Sequence, residues 1–140
     1  PHGMARRQRQ MCIRDRDKVC FLGHKNNLKN YLSIRENLMI QGLKLDSFNL
    51  DLLEKFNLRR HIDNSVGTLS FGQQKKLSLI RVLNSVENIL ILDEPFVGLD
   101  QKSKEFLKDF MEAEVKKNKT IIFTSHIDFK DDYREIKING

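Results

Sequence analysis

The sequence has none of the long apolar runs that mark membrane-spanning proteins. Its longest uninterrupted apolar stretches, Val19–Leu22 and Ile89–Leu92, are far shorter than the ~18 residues that a membrane-spanning helix requires. Tryptophan is absent, and the 140 residues include only 2 prolines and 7 glycines, which argues against a loop-dominated or collagen-like chain. With 39% hydrophobic and 31% charged residues, the composition predicts a water-soluble, helix-rich globular protein with a real core.

Cysteine is also scarce. Cys12 and Cys20 form neither the Cys-x-x-Cys spacing of a zinc site nor a disulfide framework, so we predict two free thiols in a reducing compartment. No apolar stretch of signal-peptide length follows the arginine-rich start, which favours a cytoplasmic location.

The net charge of +6 is concentrated at the beginning of the chain. Residues 1–20 contain six basic and two acidic side chains, so the other 120 residues carry only +2. The basic stretch lacks the interleaved aromatic residues typical of nucleic-acid binding, and we predict no direct contact with nucleic acid. Residues 1–18 show no periodicity, and we set them apart as a basic leader before a domain at residues 19–140.

The sequence pattern in the first half of that domain predicts one strand followed by helices. Val19–Leu22 is a candidate strand. Ser33 and Glu36 form an S-x-x-E capping box that predicts a helix of roughly ten residues. A second amphipathic segment from Leu50 to Phe56 completes a predicted helical subdomain at residues 33–66.

The second half alternates helices and strands. A helix is predicted to begin near Gln73, and an apolar strand at Ile89–Leu92 follows it, which we expect to be buried on both faces. An amphipathic helix then leads to a β-branched strand at Thr120–Thr124, and a last candidate strand covers Glu135–Ile138. The strand, helix, strand order predicts an α/β fold with a parallel sheet and a right-handed crossover.

Two adjacent acids, Asp93 and Glu94, follow the buried strand at the edge where parallel sheets bind ligands. Because neighbouring residues in extended chain point in opposite directions, we expect the two carboxylates to do different work. One can reach a phosphate-bound Mg²⁺, and the other can orient and deprotonate an attacking water. The alternative is a strand whose polar end merely reaches solvent.

Three further segments carry polar residues suited to a phosphate site, although each has a simpler explanation. Ser70 and Gln73 form a capping box, and Gly72 between them lets the backbone approach a ligand, so this helix start suits an anion. His126 follows the strand after Asp93 and should reach the same sheet edge. Asp100 stands at a helix start. Simple helix capping, or a solvated histidine, would explain each one separately.

Taken together, these segments resemble the motifs of ABC-type ATPases. Residues 69–76 (LSFGQQKK) are similar to the signature motif, residues 89–94 (ILILDE) to the Walker B strand and residues 98–100 (GLD) to the D-loop, while His126 matches the switch histidine. The intervals of 23 positions from Ser70 to Asp93, and of 33 from Asp93 to His126, fit that family. The resemblance implies a partial P-loop NTPase domain of ABC type with a helical subdomain.

The resemblance also implies a role for each matching residue. Asp93 would bind the Mg²⁺ shell, Glu94 would act as the catalytic base, and His126 would contact the γ-phosphate of ATP and the attacking water. In such ATPases two subunits form a head-to-tail dimer with two ATP molecules at the interface.

Four of the matching residues would act at that dimer interface. Ser70, Gly72 and Gln73 would contact the nucleotide bound to the second ABC ATPase subunit, and Asp100 would couple the two sites. Phe71 occupies a position where many members have glycine, which bears on the geometry of that contact.

His24 occupies the position of the Q-loop glutamine. A histidine in the setting Leu22-Gly23-His24, with GQQ in the signature motif, resembles the heme-exporting ATP-binding subunits of cytochrome c maturation. That likeness implies nucleotide contact at His24, a transmembrane permease as partner and a peripheral position at the cytoplasmic face of the bacterial inner membrane. The alternatives are an ordinary ABC transporter ATPase, a non-transport ABC protein acting on nucleic acid or ribosomes, and a non-catalytic ABC-like module.

The phosphate-binding loop of these ATPases, G-x-x-x-x-G-K-[ST], does not occur in the 140 residues. Only Gly67 and Gly72 have the required interval, and Gln73 and Gln74 follow where Lys and Ser or Thr should stand. We therefore expect a fragment that begins after the loop and that hydrolyses no ATP alone.

Overall fold

The computed structural model describes residues 19–126, in which three parallel strands form one sheet. The strands are β1 (Val19–Leu22), β2 (Ile89–Leu92) and β3 (Thr120–Phe123), with β2 in the middle. Leu22 pairs with Leu92, which pairs with Phe123, so all three strands end at the same level. The predicted α/β fold with a parallel sheet is confirmed. The leader at residues 1–18, Cys12 and the candidate strand Glu135–Ile138 lie outside the described residues.

Residues 19–126 contain four α-helices, in chain order α1 (Ile34–Ile40), α2 (Ser47–Lys55), α3 (Phe71–Leu83) and α4 (Gln101–Lys116). Short 3₁₀ turns occur at Arg59–His61 and Val66–Thr68. Helix α3 packs against β1, α4 packs against β3, and α2 packs against α3. None of the helices within residues 19–126 is both long and apolar enough to cross a membrane.

Both predicted capping boxes are present, and they determine where α1 and α3 begin. The Ser33 hydroxyl accepts from the Glu36 N–H, and the Ser70 hydroxyl accepts from the Gln73 N–H. Helix α3 therefore starts at residue 71, two residues before Gln73. Helix α1 ends at residue 40, earlier than predicted, because Gly42 adopts φ 75° and the Leu43 N–H bonds back to the Leu38 carbonyl at 2.9 Å.

The sheet has one covered face and one open face, so the expectation that β2 is buried on both faces is wrong. Leu90 and Leu92 are fully buried, whereas Ile91 is half-buried. Its neighbours in the same row, Phe21 and Ile122, are 53% and 56% exposed. Among residues 19–126, helices cover only the face that carries Leu90 and Leu92.

The predicted helical subdomain, residues 33–66, contains α1 and α2 and shares its core with the sheet. Leu38 of α1 and Leu53 of α2 belong to the same buried cluster as Leu90. A backbone bridge between Ser33 and Ser65 joins the two ends of the segment. The boundaries of this subdomain stay a prediction.

Candidate active site

Asp93 and Glu94 lie at the carboxyl edge of the sheet, between the ends of its outer strands. The N–H of Asp93 donates to the Leu22 carbonyl at 2.8 Å, which continues the pairing with β1 beyond β2. On the other side, the N–H of Thr124 donates to the Leu92 carbonyl at 3.1 Å. These backbone bonds fix the acids where the loops after β1 and β3 converge.

The two acids have different partners, but the reason differs from the one expected. Glu94 is not extended, since its φ of 48° lies in the left-handed region that residues other than glycine rarely adopt. The carboxylate of Asp93 turns to the hydroxyl of Thr124, and the carboxylate of Glu94 turns to His126. The sharp turn at Glu94 therefore separates the two side chains.

Thr124 is a residue that the sequence analysis missed as part of the site. Its hydroxyl donates to Asp93 Oδ1 at 2.7 Å and accepts from the N–H of Glu94 at 2.9 Å. The only signal in the sequence was a hydroxyl residue at the end of a β-branched strand, which is common. The contact spans 30 positions of chain and depends on the register between β2 and β3.

His126 reaches the acid pair, as its position after β3 suggested. Its Nε2 lies 3.0 Å from Oε1 of Glu94. The imidazole side chain is 92% exposed, whereas that of Glu94 is only 19% exposed. The histidine can therefore meet a ligand from solvent while it contacts the carboxylate beneath.

Lys75 is the second residue that the sequence analysis missed. It lies on the buried face of α3, 3% exposed, and its Nζ lies 3.5 Å from the carbonyl oxygen of Asp93. Burial lowers the pKa of this ammonium, and the nearby charges of Asp93 and Glu94 oppose that shift. A helical spacing of four from Lys75 to the buried Leu79 was the available signal.

The start of α3, which carries the residues that resemble the signature motif, makes contacts within the protein itself. Ser70 and Gln73 cap each other, with the Ser70 N–H donating to Gln73 Oε1 at 2.8 Å. Gly72 lies against the turn before α4, and a Cβ there would stand 2.6 Å from the carbonyl oxygen of Gly98. Glycine at position 72 is therefore required by a close contact within the protein itself, and the approach of a ligand to Gly72 stays a prediction.

Asp100 links that same turn to α3. Its carboxylate caps α4 by accepting from the N–H and the hydroxyl of Ser103, and its Oδ1 lies 2.5 Å from Nζ of Lys76. The Lys76 ammonium lowers the pKa of Asp100 to about 2. Capping, the simpler explanation, is thus one of two structural roles of this residue.

His24 stands apart from the acid pair. It follows β1 after Gly23 at the same sheet edge, and its side chain is exposed. Within the described part of the chain it makes no hydrogen bond or ion pair, whereas Asp93, Glu94 and His126 are brought together.

The carboxylate of Asp93 fits a Mg²⁺ bound mainly through phosphates. The Thr124 hydroxyl donates to its Oδ1. No cluster of three or more His, Cys, Asp or Glu side chains within that range could enclose a metal by itself. One carboxylate with substrate phosphates and water is the ligand set that Mg²⁺ commonly takes.

Comparison with known proteins identifies relatives of this arrangement. The family model described as "ABC transporter" matches residues 3–97. That range includes most of the leader, whose boundary at residue 18 stays a prediction. A solved dimeric structure of the ATP-binding cassette MJ0796, described as a post-hydrolysis state bound to ADP and Pi, superimposes with a TM-score of 0.63 at 25% identity. The match covers 80% of this chain and 53% of that one.

Two named relatives are both described as ATP-binding export proteins. The cytochrome c biogenesis ATP-binding export protein CcmA of Roseobacter denitrificans is 32% identical over 113 residues, which are 80% of this chain and 55% of that protein. The Nod factor export ATP-binding protein I of Rhizobium meliloti is 32% identical over 109 residues, which are 73% of this chain and 32% of that protein. The chain therefore spans little more than half the length of the CcmA relative.

Proposed function

Since this chain belongs to the ABC transporter family, we propose that it is part of an ATP-binding and ATP-hydrolysing subunit that drives a transporter. The observation that supports this function best is the meeting of Asp93, Glu94 and His126 at one sheet edge, with different partners for the two carboxylates. This edge is where open α/β sheets bind ligands.

In the proposed reaction, Glu94 accepts a proton from water while the water oxygen forms a bond to the γ-phosphorus of ATP. The bond from that phosphorus to the bridging oxygen breaks, and ADP leaves with the electron pair. Asp93 would bind the Mg²⁺, which neutralises phosphate charge when it is bound. His126, exposed above Glu94, would contact the γ-phosphate and orient the water.

The signature helix start would act on a second subunit. Ser70 is exposed, and with Gly72 and Gln73 it would face the nucleotide bound by the partner in a head-to-tail dimer. Asp100 would connect that interface to the acid pair, because the turn that begins at Glu94 ends at Asp100. The contact between Gly72 and Gly98 supports this connection, since it fixes the helix start against the same turn.

Heme export coupled to cytochrome c biogenesis is the transport function that we propose. The CcmA relative and the histidine at position 24 support it, and His24 would then lie near the nucleotide. The partner would be a transmembrane permease, and the subunit would be peripheral, at the cytoplasmic face of the bacterial inner membrane. The Nod factor relative, at equal identity, makes a different exported substrate the main alternative.

The other candidate functions make different predictions. A non-transport ABC protein would copurify with nucleic acid or ribosomes rather than with a permease, and a non-catalytic module would bind ATP without turnover in its complete form. Genes for cytochrome c maturation membrane proteins beside this one would favour heme export.

The test is Glu94→Gln in the full-length gene product, because no phosphate-binding loop occurs among the 140 residues. We expect ATP binding by filter assay to persist and phosphate release to fall at least about 100-fold, since the amide cannot accept the proton. Glu112→Gln, an exposed position on α4, is the matched control. Undiminished hydrolysis in Glu94→Gln would show that the base lies elsewhere.

A further inference from the structure

The hydroxyl of Thr124 connects the two acids of the site. A carboxylate can only accept a hydrogen bond and a backbone N–H can only donate one, so the hydroxyl proton must point to Asp93 Oδ1 and its lone pair to the Glu94 N–H. Both contacts are short, at 2.7 and 2.9 Å. One oxygen atom thus orients an oxygen of Asp93 and the backbone of Glu94.

The contact acts on a backbone conformation that is unfavourable by itself. Glu94 has a φ of 48°, and residues other than glycine keep such a conformation only where their surroundings impose it. The loop after β3 contacts both the backbone and the side chain of Glu94. Thr124 binds its N–H, and His126, two residues later, contacts its carboxylate at 3.0 Å.

We infer that Thr124 is a positioning residue for ATP hydrolysis, because its hydroxyl keeps Glu94 in the conformation in which the carboxylate faces His126. This inference rests on the proposed function. In the proposed reaction Thr124 does not touch the reacting atoms. It acts through Glu94, and it also orients Asp93, so its loss should lower the rate of chemistry more than the affinity for ATP.

A purely structural role is the alternative. Thr124 could simply close the end of β3 against β2, and removing its hydroxyl would then lower stability without changing the turnover of folded molecules. The two roles can be separated because Thr124 is exposed and valine has nearly the same shape as threonine. Thr120→Val makes the same chemical change at the opposite, exposed end of β3 and is the matched control.

The first experiment compares steady-state ATP hydrolysis by the full-length gene product and its variants. We expect Thr124→Val to lower kcat about tenfold and to leave KM for ATP within about twofold of the wild-type value. A change of this size is expected when a hydrogen bond to a charged group is lost and only the chemical step is affected. Thr124→Ser, which keeps the hydroxyl, should restore most of the turnover. Thr120→Val should match the wild type.

The second experiment measures hydrogen exchange of the Glu94 amide by NMR, which needs no turnover. The amide should exchange faster in Thr124→Val than in the wild type and return to wild-type protection in Thr124→Ser. Circular dichroism reports whether each variant is folded. If Thr124→Val does not fold, Thr124→Ala removes the same hydroxyl with a smaller side chain.

The outcomes separate the two proposals. Turnover in Thr124→Val equal to that of the wild type overturns the positioning role, as does a rate loss with unchanged Glu94 exchange. A loss that follows only the unfolded fraction, or unfolding of both variants, also overturns it and leaves a structural role. If the wild type hydrolyses no ATP, the proposed function fails and the catalytic part of this inference fails with it, while the exchange data still test the hydrogen bond.

Discussion

The two ends of the segment from Asp93 to Asp100 are fixed by different kinds of contact. At the Glu94 end, hydrogen bonds through one hydroxyl and a contact with an exposed imidazole orient the side chains. At the Gly98 end, backbone lies against backbone so closely that a methyl group would not fit. Polar contacts can rearrange at modest cost, whereas steric contacts cannot. The segment thus combines a steric attachment to α3 with a pair of acids that hydrogen bonds hold in place.

Gly72→Ala should have the largest effect, because it places a Cβ 2.6 Å from the Gly98 carbonyl oxygen. Backbone cannot move aside as a flexible side chain can, and we expect a loss of about 2–3 kcal/mol in the free energy of unfolding. Urea denaturation of the full-length gene product measures it.

Gly42→Ala is the control for the steric clash expected in Gly72→Ala. Gly42 has φ 75° but no atom within 4 Å of a new Cβ, so its substitution should cost only about 1 kcal/mol, the backbone penalty alone. Equal losses in the two variants would show that the close contact at Gly98 is not rigid.

Lys75→Met changes the buried side chain that lies against the Asp93 and Glu94 end of the segment. Its effect on stability should be intermediate. Removing a buried charge should raise the free energy of unfolding by about 1 kcal/mol at pH 7. Burial lowers the folded-state pKa of Lys75 below 10.5, so the folded wild type loses its proton before the unfolded chain does. Wild-type stability therefore rises with pH in that window, and the advantage of Lys75→Met shrinks.

Lys102→Met, at an exposed position on α4, is the control for the change in net charge. A loss of stability in Lys75→Met alone would mean that attraction to Asp93 and Glu94 outweighs the cost of burying the ammonium. The charge of Lys75 would then help to hold the acid pair in place.

Asp100→Asn should have the smallest effect, since the carboxylate is 51% exposed and solvent screens its pair with Lys76. We expect a loss of about 0.5 kcal/mol at pH 7, measured by urea denaturation. Because the folded pKa is lowered from 3.8 to about 2, the contribution is complete above about pH 4 and is lost as the pH falls through about 2.

Asp109→Asn, an exposed acid on α4, provides the control for this titration. If the difference in stability between the wild type and Asp100→Asn persists unchanged below pH 3, the ion pair with Lys76 is not its cause. The replacement of a carboxylate by an amide at the cap of α4 would then be the cause. The steric contact of Gly72 would then be the main attachment of the turn to α3.

Much of the fold was predictable because its signals are local. The capping boxes at Ser33 and Ser70 use contacts three residues apart, and the apolar runs mark β1 and β2 directly. The half-covered state of β2 was not predictable, because an apolar run does not reveal whether a helix lies on each face. The left-handed turn at Glu94 was equally hidden, since nothing in an Asp-Glu-Pro sequence requires it.

The sequence by itself determined the family resemblance, the order of elements and the identity of the acids Asp93 and Glu94, because motif spacing and periodicity are properties of the chain alone. Only the tertiary structure decided how Thr124, Lys75 and Lys76 take part. Their partners lie 18 to 31 positions away along the chain. Such contacts arise from strand register and helix packing, which bring together side chains that no local pattern connects.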